Sequence, residues 1–187
     1  MKHIVRKWCS DFEKEENWLN EMSAKGMALT DYSWCRYVFT EALKNEYTYR
    51  IELLQQPPTH AESIAYIKFL EESGIECVTT YNRWIYLRKK SSEGPFDIYS
   101  DIESKISHYK RVFYLWNSLM WVELIIGLLN LIIGIINLNI SEKLGNSSIN
   151  NIFIGCLLTL LAIFFFKLGL PIRRKIKRLQ QEKIISE

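Results

Sequence analysis

Two apolar runs in the last third of this sequence limit what the chain can fold into more than any other feature. The first covers residues 112–138 and contains LIIGLLNLIIGII; the second covers 152–172 and reads IFIGCLLTLLAIFFFKLGLPI. A bilayer core about 30 Å thick takes roughly 20 apolar helical residues to cross, and both runs are long enough. Lipid offers backbone N–H and C=O groups no partner, so such runs must be helical. The pattern therefore predicts a two-helix transmembrane hairpin in a lipid bilayer. Lys105, Lys110 and Arg111 precede the first run, and Arg173, Arg174, Lys175, Lys177 and Arg178 follow the second. The connecting segment 139–151 carries only Lys143. By the positive-inside rule, both termini of this multi-pass protein are expected on the cytoplasmic side of the cell (inner) membrane.

The chain opens MKHIVRKWCSDFEKEE, with charges where an apolar h-region would stand, so no cleavable signal is expected. A net charge of +3 over 187 residues is too small to read as nucleic-acid binding. Cys9, Cys35, Cys77 and Cys156 are scattered, which suits free thiols in a reducing compartment better than disulfides or a zinc site. Asn139-Ile-Ser141 and Asn146-Ser-Ser148 match a glycosylation sequon, a short pattern that recurs by chance.

Residues 1–90 read as a duplicated unit. Residues 3–8 look like a strand. Ser10 with Glu13 forms a capping box for a helix whose stripe is Phe12, Leu19 and Met22, and Gly26 ends it. Strand-like MALTDYSWCRYVFTEA follows. Then Tyr47, Tyr49, Ile51 and Leu53 alternate with polar residues, the period of a half-buried strand. After Pro57-Pro58, Thr59 with Glu62 forms a second capping box, Ile64, Ile67 and Leu70 line a helix face, and Gly74 closes it. IECVTTYNRWIYLRKK repeats the strand-like pattern at a spacing of about fifty residues. Two βαβ units in tandem predict an α+β domain of ferredoxin-like βαββαβ topology, one antiparallel sheet with both helices on one face. The stretches after Gly26 and Gly74 are long for single strands; bends or short hairpins are expected at Ser33 and near Tyr81-Asn82.

Residues 91–111 then supply a linker (91–99) and a juxtamembrane helix, opened by a third capping box at Ser100 and Glu103 and continuing into the first span. The basic tail, 173–187, reads as a short surface helix or a frayed end.

The strings EENWLNEMSAKGMALTDYSWCRYVF, YTYRIELL and IYSDIESKISHYKRV resemble the bacterial domain-of-unknown-function family numbered 2812. The most specific blocks are WLNEM…KG from Trp18, YRIE from Tyr49 and YSDIESK from Tyr99; Met27 stands where Trp is commoner in the family. The resemblance implies a membrane-anchored protein with a cytoplasmic domain, and a gene often beside a PadR-type transcriptional regulator. It supplies no activity and no cofactor.

Catalytic patterns are missing: no phosphate-binding Gly loop, HExxH, CxxC or nucleophile elbow, and His3, His60 and His108 sit in different elements. No enzyme activity, metal or cofactor is expected. Glu13, Glu15, Glu16, Glu71 and Glu72 fall on helices and read as solvated faces. Within the hairpin, Glu123 and Lys167 are costly in lipid and are expected to pair across the two spans, unless Lys167 snorkels to the headgroups. Gly127, Asn130, Gly134 and Asn137 share one face, suited to close packing against Gly155 and Thr159 or against another copy of the chain. Trp34, Tyr37, Trp84 and Tyr86 mark either a core or a ligand pocket. The expected role is a sensing or adaptor module that binds a protein, a PadR-type regulator by family context, or a small ligand. The alternative is an accessory subunit of a transport or stress-resistance system, which on two spans would need a homo-oligomer.

Overall fold

The computed structural model describes residues 2–99, 101–141 and 145–186. It divides into two compact units, Met1–Ser104 and Lys105–Glu187. The first contains β1 (Lys2–Arg6), α1 (Phe12–Ala24), β2 (Met27–Ser33), β3 (Arg36–Glu41), β4 (Tyr47–Leu53), α2 (Ala61–Glu72), β5 (Glu76–Tyr81) and β6 (Trp84–Lys90). The repeat is therefore βαββ, used twice. Each copy forms its own three-stranded antiparallel sheet, in the orders β1-β3-β2 and β4-β6-β5.

This corrects the expected ferredoxin-like single sheet while keeping the α+β class. The hairpins anticipated at Ser33 and Tyr81-Asn82 are the β2–β3 and β5–β6 turns. Bulges between Leu29 and Asp31 and between Cys77 and Thr79 interrupt β2 and β5, the strands through which the two sheets would have to join. Side chains bridge the gap instead. The Leu29 N–H donates to the Tyr49 hydroxyl (2.8 Å), and Arg88 Nη1 donates to the Leu29 carbonyl (3.2 Å).

The helices are not on one face either. Leu19 of α1 shares a core with Leu29, Tyr37, Phe39, Tyr49, Ile51 and Tyr86, whereas Leu70 of α2 packs with Leu54, Ile85, Leu87 and Phe96. Adjacent residues on a strand point to opposite faces. Tyr86 between Ile85 and Leu87 thus puts α1 and α2 on opposite sides of the second sheet. Phe96 and Ile98 belong to that second core, so the segment expected as a linker is packed into the unit.

Both N-caps lie one residue beyond the expected ones. Asp11 caps α1, accepting from the Glu13 and Lys14 N–H groups, and His60 caps α2 through Glu62 N–H. Ser100 of the third expected box lies outside the described residues. Asp101 accepts from the Ser104 N–H at 2.6 Å.

The second unit is a pair of long helices, with α3 spanning Ile102–Ser141 and α4 spanning Asn146–Ser186. The expected polar loop shrinks accordingly, since α3 runs to Ser141 and Asn146 begins α4; Lys143 lies outside the described residues. The tail does not fray at Pro171, because α4 continues through it. A proline interrupts one backbone hydrogen bond, and helix on either side holds the rest.

Candidate functional site

The amino-terminal unit is organised around a carboxyl group. Phe12, Glu15, Leu19 and Met22 follow one another at three- and four-residue steps, so they share one face of α1. That face is buried, and Glu15 goes in with it at 7% exposure. Two phenols meet it there. Tyr37 from β3 donates its hydroxyl to Glu15 Oε1 at 2.6 Å, and Tyr86 from β6 donates to the same oxygen at 2.7 Å. One acid thus joins the two halves of the repeat. Tyr32 lies tilted beside both rings, with centroids 4.7 Å from Tyr37 and 4.6 Å from Tyr86. Trp18 meets Tyr37 edge-on, and Lys7 Nζ lies 4.3 Å from the Trp18 ring centre.

Burial pushes the Glu15 carboxyl above its ordinary range, and the two phenol donors and Lys7 pull it part of the way back. The Tyr37 and Tyr86 hydroxyls are driven far above the phenol range, by burial first and then by Glu15's charge. They act as donors and not as phenolates. The Cys9 thiol beside the cluster is raised too, by burial and then by Glu15, which disfavours a thiolate nucleophile. The group that can change state here is Glu15 itself.

The reading of Glu15 and Glu16 as solvated is therefore corrected. Its signal was in the sequence: Glu15 falls three residues after Phe12 and four before Leu19, inside the apolar stripe. Glu16 has a different task. Its Oε1 accepts the Ile51 N–H at 2.8 Å. Asn20 accepts the Tyr49 N–H (2.8 Å) and donates to the Tyr49 carbonyl (3.2 Å). The Ser23 hydroxyl donates to the Tyr47 carbonyl (2.6 Å). Four helical residues rise about 6 Å and two strand residues about 6.7 Å, so side chains along α1 keep step with alternate residues of β4. A helix here occupies the edge where another strand would pair.

The four aromatics singled out in the sequence separate. Tyr37 and Tyr86 are buried around Glu15, and half-buried Trp84 packs on Phe12 with ring centres 5.9 Å apart. Trp34 is outside, 77% exposed. It occupies the β2–β3 turn with φ 29°, followed by Cys35 at φ 60°. Two left-handed residues in a two-residue hairpin suit Asn-Gly; a bulky side chain there costs about 1–2 kcal/mol. The second hairpin has one left-handed residue, and it is Asn82, at φ 53°. A shallow cavity of about 420 Å³ beside Trp34 is lined by Arg6, Ser33, Cys35 and Arg36.

In the carboxy-terminal unit, Gly127 and Gly134 are buried and the partner helix lies against them. A Cβ on Gly127 would come within 3.0 Å of Thr159 Oγ1, and one on Gly134 within 2.7 Å of an Ile152 side-chain carbon. Trp116 stacks on Phe165, and Gly169 faces Phe113. Asn130 turns back to its own helix, donating to the Ile126 carbonyl at 2.8 Å, and Asn137 is half-buried.

Glu123 and Lys167 are not brought into an ion pair. The antiparallel contacts set Glu123 level with residues near Leu160 and Lys167 level with residues near Leu115. That is roughly 12 Å along the axis at 1.5 Å per residue. Lys167 is exposed and Glu123 half-exposed.

The histidines are apart: His60 caps α2, His3 lies 3.4 Å from Glu41, and His108 is buried in α3. Among the described residues, no group of three His, Cys, Asp or Glu side chains is placed to hold a metal ion.

The two long helices have mean hydropathy 2.4 over their most apolar windows, yet only 11% and 17% of those windows are buried. A core helix of a water-soluble protein would cover such faces; these remain open, as a membrane anchor requires. Fold and site together define a small α+β unit with a buried Glu–Tyr hub, followed by a helical hairpin fit to cross a bilayer. The chain belongs to the family described as proteins of unknown function (DUF2812), whose model matches residues 11–121. No curated protein and no solved structure matches it.

Proposed function

We propose that this chain is a non-enzymatic, two-span protein of the cell (inner) membrane, with both termini in the cytoplasm. Its amino-terminal unit works there as a sensing or adaptor module for a protein or small ligand. The observation that carries the reading is the continuity of α3. That helix starts at Ile102 and runs without a break to Ser141, through the whole first apolar run. A change in the state of the α+β unit at the helix start can thus be felt as rotation or displacement of a span. Family resemblance, through neighbouring PadR-type genes, makes transcriptional control the natural output.

A tagged full-length chain tests this. It is expected in the membrane pellet after an alkaline wash, with an amino-terminal tag shielded from reagents outside intact cells. Crosslinking and affinity capture in detergent are expected to retain a defined partner. Recovery in the supernatant, labelling of the tag from outside, or capture of no partner overturns the proposal.

One observation favours a second reading, an accessory subunit of a transport or stress-resistance assembly. Glu123 and Lys167 form no ion pair with each other and lie on an open hairpin, and ionisable groups in lipid are usually paired within a bundle. Crosslinks from Lys167 to another membrane protein, rather than to a cytoplasmic one, would favour that assembly.

A further inference from the structure

We propose that the outer face of the first sheet, with Trp34 at its tip, docks on the anionic headgroups of the bilayer in which the chain is anchored. The inference rests on the membrane reading above and adds a ligand class to it. In the β1–β3 register, His3 and Val5 lie opposite Phe39 and Tyr37, on the core side. Lys2, Ile4 and Arg6 lie opposite Thr40, Val38 and Arg36, on the other. That outer face presents Lys2, Arg6 and Arg36 against one carboxylate, Asp31, which stands 3.7 Å from Arg36. Ile4 is 57% exposed, Trp8 just beyond β1 is 64% exposed and Trp34 is 77% exposed. Cations interleaved with exposed Trp and Ile match a membrane–water interface. The indole sits among headgroups, and basic side chains meet anionic lipid.

The turn adds an independent reason. Backbone strain is spent on holding an indole that contributes nothing to the core, where the equivalent position of the other turn holds Asn82, a residue that adopts φ > 0 at lower cost. The cavity beside it is open and shallow, and one of its two guanidinium groups is already shared with Asp31. That is a poor cage for a single soluble anion and a good fit to a continuous anionic surface. Because the spans tether the unit to a bilayer, weak contacts act at high effective concentration.

The test uses the full chain in nanodiscs, with Ser33→Cys carrying an environment-sensitive fluorophore and the native cysteines replaced by serine. Discs are neutral phosphatidylcholine, or phosphatidylcholine mixed with phosphatidylglycerol, each with nitroxide-labelled lipid as quencher. Quenching is expected in anionic discs and not in neutral ones. The R6Q/R36Q variant should lower the docked-to-free ratio roughly thirtyfold, the worth of two cations at such a surface. W34N, which suits the turn and should keep the fold, is expected to lose quenching as well. A label that stays in water in anionic discs overturns the docking, as does equal quenching in both lipids. Shielding of the label by free glycerol phosphate in neutral discs overturns it in favour of a soluble anion. A chain that does not enter discs at all sinks the membrane reading; one that enters with its label in water sinks only this inference.

Discussion

Replacing either phenol that meets Glu15 should loosen the amino-terminal unit by a measurable and pH-dependent amount. Tyr37→Phe and Tyr86→Phe each remove one donor from a buried carboxyl, at 2.6 and 2.7 Å. A hydrogen bond to a charged group is worth about 1.5–3 kcal/mol, so each variant should lose that much while Glu15 is ionised. At about 1.4 kcal/mol per decade, native-state hydrogen exchange in α1, β3 and β6 should accelerate roughly tenfold to hundredfold. The assay is exchange on the detergent-solubilised full chain. Changes below about 0.5 kcal/mol for both variants, the size of ordinary surface substitutions, would refute a hub. The pH dependence gives a second check. Glu15's folded pKa lies above its unfolded value near 4.5. Its contribution is therefore fully present below about 4.5 and is lost as pH rises through the folded value. The stability of the wild type minus that of Glu15→Gln should fall over that window. A flat difference would show that the carboxyl is not held above its normal range.

Three further outcomes follow from the same geometry. Asn20→Ala strands the N–H of Tyr49, whose carbonyl keeps the Arg50 Nη1 donor, and should cost about 1–3 kcal/mol, read as faster exchange at Tyr49 and Ile51; unchanged exchange there would mean that α1 does not seal β4. Gly134→Val drives a side chain into Ile152 and should lower the melting point of the hairpin in detergent by the equivalent of about 1–3 kcal/mol; an unchanged melting point would mean that the two helices do not meet there. Glu123→Gln and Lys167→Met should have additive effects within about 0.5 kcal/mol in a double-mutant cycle, since their levels differ; coupling above that would mean the two side chains meet.

Local features were legible in the sequence because local rules set them. Gly26 and Gly74 stop the two helices at φ 82° and 79°, and the turns fall where strand-like runs are too long for one strand. The two long helices were announced by hydropathy alone. Pairing across the chain was not legible. Two βαβ patterns are equally compatible with one sheet or two, and the bulges in β2 and β5 leave no mark in the strand periodicity. Glu15 was misread because carboxylates on helices are usually wet; its position in the stripe of Phe12, Leu19 and Met22 outweighed that prior. The depth of Glu123 against Lys167 depends on where α3 and α4 cross, and glycine contacts fix that crossing where counting from flanking cations does not.

The seal that α1 places over β4 also bears on synthesis. The ribosome releases the amino-terminal repeat first, so Glu16, Asn20 and Ser23 are in place before the strand they cover emerges. A nascent strand with unpaired amides is a template for sticking to its neighbours, and here its cover precedes it. With the two repeats exchanged in order, the same residues would leave that strand bare during translation, so the copies are related in shape but not interchangeable in sequence of birth.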